Sequence, residues 1–172
     1  MEKLKHLLKE YIIPLGTEAL VILILFKFVF LLVMVPTGSM LPKIQEGGVI
    51  FCTHLHSLKN IERGDILVFE SREEDKTLIK RLIGLPGELV EIDDKGTVTI
   101  DGEVLEEDYV FHQMEGMPKA FNVPEGHYLF LGDNRANSRD ARYWDDPYIP
   151  GEDITAKARF TLWPLSRFGS LK

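Results

Sequence analysis

The chain has 172 residues, 45% of them hydrophobic and 27% charged, with a formal net charge of -7. This allows one ordinary domain beside a short appended segment. The acidic balance lacks the dense basic surface of a nucleic-acid groove, so nucleic acid is not an expected partner. A single cysteine, Cys52, excludes an intramolecular disulfide and a cysteine-rich metal site, and its default role is that of a small buried apolar residue.

In chain order, the head MEKLKHLLKE carries three lysines and two glutamates, a bias that weakly favours a cytoplasmic amino terminus over residues 1–10. Next comes the run Ala19–Val35, ALVILILFKFVFLLVMV, broken only at Lys27. Alone it is slightly short for a helix crossing a bilayer, which takes about 20 apolar residues. A helix from Tyr11 to Lys27 supplies the length, with Lys27 reaching toward the headgroups, and gives a transmembrane anchor over 11–28. The Phe- and Val-rich stretch Phe28–Val35 reads as a strand leaving the membrane surface. The alternatives are a buried core helix and a cleaved secretory signal. Pro36-Thr37-Gly38-Ser39 lacks the small-x-small pattern that the second requires.

Residues 29–172 are then extracytoplasmic, and they read as short strands. Asp65–Glu70 and Thr77–Ile83 flank the charged turn SREEDK as a hairpin. Val90–Ile92 and Thr97–Ile100 flank DDKG as a second one, and Asp101-Gly102 turns the chain into Glu103–Leu105. His127–Leu131 and Ala156–Leu162 are further strands. No long helical period appears, so the expected fold is all-β: antiparallel sheets forming a folded or partly closed barrel, with a small lobe at about 88–122, preceded by one amino-terminal transmembrane helix.

Three segments carry chemistry. Ser39 in VPTGSMLP is a hydroxyl that needs a neighbouring base to act as a nucleophile, and by itself reads as a loop serine. Lys80 shares a strand face with Leu78 and Leu82. If that face is buried, desolvation lowers the amine's pKa toward that of a general base, and Arg81 points to solvent. Ile79 and Ile83 mark the opposite face equally well, so alternation leaves both orientations open. GDNRANSRDAR, Gly132–Arg142, is either a polar loop or a brace in which Ser138 orients the lysine while Asp140 and Arg142 pair behind it. His54 and His56 are spaced for one strand face but lack a third ligand, and no metal is expected.

These segments together resemble the type I signal peptidases, the leader peptidases that remove signal peptides from exported proteins. Thr37-Gly38-Ser39-Met40-Leu41-Pro42 is similar to the family's nucleophile box, and Arg63-Gly64-Asp65-Ile66-Leu67-Val68-Phe69 to the strand box after it. Lys80-Arg81-Leu82-Ile83-Gly84-Leu85-Pro86-Gly87 resembles the general-base box, and Gly132-Asp133-Asn134-Arg135 through Ser138, Asp140 and Arg142 the last. The 41-residue interval from Ser39 to Lys80 resembles the compact forms of Gram-positive bacteria.

The resemblance implies Ser39 as nucleophile and Lys80 as general base, cleaving preproteins of the general secretion pathway after an Ala-x-Ala type site at the membrane, without cofactor or metal. It implies an oxyanion hole from the Ser39 N–H and the Thr37 hydroxyl, and Ser138 orienting the lysine. Asp133, Asn134, Arg135, Asp140 and Arg142 are implied to brace the site, and Val35 and Met40 to wall the small-residue pockets. The sequence departs from the family pattern at Lys43, Glu88 and Ala141 and at Trp144-Asp145-Asp146-Pro147-Tyr148, which bears on cleft shape rather than on a catalytic group. Rival readings are a catalytically silent homologue that binds exported chains, a self-cleaving repressor of related β fold, and a purely structural anchored domain.

Overall fold

The computed structural model describes residues 6–171, so the first half of the amino-terminal head lies outside the described residues. A π-helical turn, Leu8–Ile12, runs into helix α1, Ile13–Phe28. Lys9–Phe28 is 20 residues long and apolar enough to cross a membrane, and no residue of its most apolar stretch is buried in the protein. At about 1.5 Å per residue it spans roughly 30 Å, the thickness of a bilayer's hydrocarbon core. A helix that is apolar all round and leaves its residues uncovered by protein suits lipid as its solvent.

Among the described residues twelve strands follow: β1 Phe30–Val35, β2 Gly48–His54, β3 Ile66–Ser71, β4 Lys76–Gly84, β5 Leu89–Ile92, β6 Val98–Ile100, β7 Glu103–Val104, β8 Lys119–Asn122, β9 His127–Leu131, β10 Tyr148–Pro150, β11 Ile154–Trp163 and β12 Gly169–Ser170. They form two sheets in which every pair is antiparallel. The larger has the order β1-β2-β11-β3-β4-β9-β10, with β12 on β11; the smaller is β7-β6-β5-β8. The all-β class is therefore as the strand pattern indicates.

Successive residues of β3 enter two different cores. Leu67 and Phe69 join the cluster of Leu82, Phe130, Leu131 and Trp144, whereas Ile66 and Val68 join that of Val35, Met40, Ile44 and Ile50. A strand covered on both faces reads as a continuous apolar run, which is why ILVF is unbroken. Register shifts in β11 near Ala158 and Thr161, and between β4 and β9 near Gly84, bend the large sheet as bulges do.

Two expectations from alternation are corrected. Arg81 does not face solvent: it is 4% exposed. The cause is that β4 lies inside the sheet, between β3 and β9, with side chains covering its back face. His56 does not share a strand face with His54, because β2 ends at His54 and His56 sits beyond it with Nε2 2.9 Å from Phe28 O.

Candidate active site

Ser39 sits on one 3-10 turn, Gly38–Met40, at the end of the chain leaving β1. Lys80 lies in β4, opposite Leu67 of β3. Lys80 Nζ donates to Ser39 Oγ at 2.6 Å, and the two residues are 4% and 5% exposed. Among the described residues no carboxylate pairs with that amine. Burial is the largest influence on it and lowers its pKa from 10.5 to about 8, while the nearby Asp140 pulls the other way. An amine in this state is neutral in a useful fraction of molecules near neutral pH, and it touches the hydroxyl it would deprotonate.

The loop from Gly132 to Arg142 packs directly on this pair. A Cβ on Gly132 would lie 2.2 Å from Ser138 Oγ and 2.7 Å from Ser39 O, so only glycine fits there. Asp140 accepts from Gly132 N at 2.9 Å and from Arg142 Nε at 2.8 Å. Arg142 in turn donates to Arg135 O at 2.8 Å. Asn134 donates to both carbonyls flanking Ser39: Nδ2 to Gly38 O and the main-chain N–H to Ser39 O, each at 3.0 Å. Asp133 holds Arg81 with two bonds, 2.8 and 2.6 Å, and burial nonetheless raises its carboxyl pKa. Removing one partner of such a buried pair costs about 3–5 kcal/mol, because the other charge is left without compensation.

A segment the sequence gave no reason to choose completes this brace. Glu107 takes both terminal nitrogens of Arg135 and also accepts from Tyr109 Oη at 2.7 Å. The Tyr109 ring lies 3.9 Å from the Arg81 guanidinium carbon. A signal was available in the composition: EEDYVFHQM places an aromatic and acids in a stretch with no strand pattern. Nothing in it specifies which arginines they meet, since the partners lie 28 residues away for Glu107 and Arg135.

The other sequence candidates fall in different places. Thr37 is exposed at the groove, and its hydroxyl donates to Ser39 Oγ at 3.3 Å. Ser138 lines the same groove, but its buried Oγ makes no hydrogen bond among the described residues, to Lys80 or to anything else. Val35 and Met40 are 1% and 0% exposed and pack in the core behind Ser39 rather than lining the groove, Val35 from the end of β1 and Met40 from the 3-10 turn. The groove, about 500 Å³, is instead rimmed by Glu74, Leu78, Arg139 and Tyr143. Glu74 binds Lys76, Arg139 and the Trp144 indole, which ties the β3–β4 turn to the loop after Asp140. Cys52 is fully buried, and burial pushes its thiol up to about 12.

No cation-binding group of His, Cys, Asp and Glu occurs among the described residues. An all-β fold behind an apolar helix, with a serine and a desolvated lysine in contact at the wall of a groove, has the architecture of a membrane-anchored protease. The chain belongs to the signal peptidase family, peptidase S26, whose pattern matches residues 8–163. It is 35% identical to a signal peptidase I of Leptolyngbya laminosa over 80% of this chain and 70% of that one. It is also 35% identical to a probable signal peptidase I-1 of Synechocystis sp. over 92% and 85%, and 28% identical to signal peptidase IB of Staphylococcus aureus over 96% and 94%.

Proposed function

We propose that this chain is a single-pass membrane serine endopeptidase that removes amino-terminal signal peptides from exported preproteins after small residues of the Ala-x-Ala type. Family membership supports the substrate class. The observation that carries the catalytic assignment is the 2.6 Å contact between Ser39 Oγ and a buried lysine amine that has no carboxylate partner among the described residues.

In this reading neutral Lys80 accepts the Ser39 proton as Oγ attacks the carbonyl of the residue before the scissile bond. The C–N bond then breaks, Lys80 returns the proton to the leaving amine, and an ester to Ser39 remains. Water, deprotonated by Lys80, attacks that ester, and the signal peptide leaves as a carboxylate. The Ser39 N–H and the Thr37 hydroxyl hold the oxyanion in both steps. Ser138, whose hydroxyl lines the same groove without a hydrogen bond, is placed to orient the amine when substrate is bound.

Location at a membrane surface supports the same function. The register of β1, β2 and β11 aligns Leu32 with Phe51 and Phe160, and Met34 with Val49 and Trp163. Leu32, Met34, Phe160 and Trp163 are 44–69% exposed, and Leu165 and Phe168, which follow β11 in the chain, are 71% and 65% exposed. An apolar face of this kind on the sheet whose first strand leads to Ser39 suits the bilayer interface. An anchored enzyme there meets a substrate tethered by its own apolar segment, at raised effective concentration. The amino terminus then faces the cytoplasm and the sheets lie outside.

The test is cleavage of a purified precursor with an Ala-x-Ala site by the full chain in detergent or lipid, beside Ser39→Ala and Lys80→Ala. Release of the mature chain by the wild type, with both folded variants inactive, supports the reading. A folded, membrane-embedded wild type that cuts none of several such precursors sinks it and favours a binding role.

A further inference from the structure

The peptide between Gly38 and Ser39 carries the N–H proposed above as an oxyanion donor. Ser39 is the second residue of a one-turn 3-10 helix, so this N–H has no acceptor within the turn. Its direction is therefore set by where the Gly38 carbonyl goes, because the N–H and C=O of a trans peptide point opposite ways. Glycine at 38 makes a flip of this peptide sterically cheap. A flipped peptide would present the Gly38 oxygen to the groove and take the donor away.

Within the turn, Gly38 O is held by one long bond, from Leu41 N at 3.2 Å. The shorter bond comes from outside: Asn134 Nδ2, at 3.0 Å. Asn134 is 4% exposed, and its Oδ1 is buried with no hydrogen-bond partner. Turning the amide over would set its oxygen against Gly38 O, so the orientation with Nδ2 toward Gly38 is the one chemistry allows. An amide buried at the cost of an unsatisfied acceptor, with its donor spent on one carbonyl, serves that carbonyl. Independently of its side chain, Asn134 also fixes the next peptide, through its main-chain N–H to Ser39 O at 3.0 Å.

We infer that Asn134 is a positioning residue whose side-chain amide holds the Gly38 carbonyl out of the groove and thereby keeps the Ser39 N–H aimed at the developing oxyanion. The inference rests on the reading of Ser39 as nucleophile. It names a duty for Asn134 that the adjacent Asp133 and Arg135, occupied with Arg81 and Glu107, do not share.

Two variants of the full-length enzyme separate positioning from folding. Asn134→Ala removes the Gly38 link and leaves the main-chain bond to Ser39. Asn134→Leu does the same at nearly constant volume and also removes the unsatisfied acceptor, so it remains folded if cavity formation harms the first. On a precursor that the wild type cuts, both lose kcat by about 10- to 100-fold, below the 10²–10³ expected for complete loss of an oxyanion donor, because the N–H is misdirected rather than removed. KM stays within about twofold, and the pH at which activity rises does not move, because Lys80 is untouched. Wild-type kcat in a folded Asn134→Leu enzyme overturns the inference, as does a loss of kcat matched by an equal change in KM. A wild type that cuts no precursor overturns the peptidase reading and this inference with it, which tells the two failures apart.

Discussion

Lys80 and Arg81 are neighbours on β4, both 4% exposed, and the protein treats them in opposite ways. On the back face Arg81 receives two oxygens of Asp133, the carbonyl of Gly64 at 2.6 Å and the ring of Tyr109. On the groove face Lys80 receives a hydroxyl. The carboxylate and other partners of Arg81 compensate its loss of water, whereas burial lowers the pKa of Lys80, which has no such partner among the described residues. Burial alone therefore says little about function. What distinguishes the groove side of the strand, and supports the proposed catalytic role of Lys80, is that a buried amine has no counter-ion among the described residues.

The comparison breaks most visibly if the two positions are exchanged in kind. Lys80→Arg puts a permanently charged group against Ser39 and is expected to reduce cleavage by at least about 10³-fold in a folded protein, measured on the precursor. Losing the counter-ion on the back face is a matter of stability instead. Asp133→Asn leaves Arg81 buried and uncompensated and should lower the unfolding free energy by about 3–5 kcal/mol in denaturant titration. Arg81→Met combined with Asp133→Leu should recover much of that loss.

On the groove face the sign reverses. The Lys80 pKa is about 8 folded and 10.5 as a free side chain, so the native state gives up the proton first. Wild-type stability from this residue rises between those two pH values, and below about 8 the full penalty for burying the charge is present. Lys80→Met removes that penalty and should stabilise the fold by about 2–3 kcal/mol at pH 7, with the gain fading between about pH 8 and 10.5. Smallest is Tyr109→Leu, which removes the ring from Arg81 and the hydroxyl from Glu107, and should cost about 1–2 kcal/mol in the same titration.

Local pattern explains what could be read in advance. The hairpin around SREEDK, the strand His127–Leu131 and the class of the fold follow from turn residues and β-rich runs, and these are local properties. β2, β8, β10 and β12 carry no local signal because Gly48–His54, Lys119–Asn122, Tyr148–Pro150 and Gly169–Ser170 are short or lack alternation in sequence, and their pairing is set by distant partners. The contact of Lys80 with Ser39 fits the strand phase first considered for it. The burial of Arg81 does not, because period-two alternation assumes one wet face and β4 has none. Glu107 and Tyr109 escaped for a further reason: a brace is defined by whom it touches, and the loop carries no motif. Val35 and Met40 show the limit of carrying a role across by position, since neighbours of Ser39 in sequence lie behind it in space.

The central claim is that Lys80 works as a neutral base, and the direct measurement is kcat/KM for precursor cleavage as a function of pH. The account predicts activity that rises with pH through an apparent midpoint near 8, where burial has placed the lysine. A profile flat from about pH 5 to 9, or a rise only near the ordinary lysine value of 10.5, would contradict it.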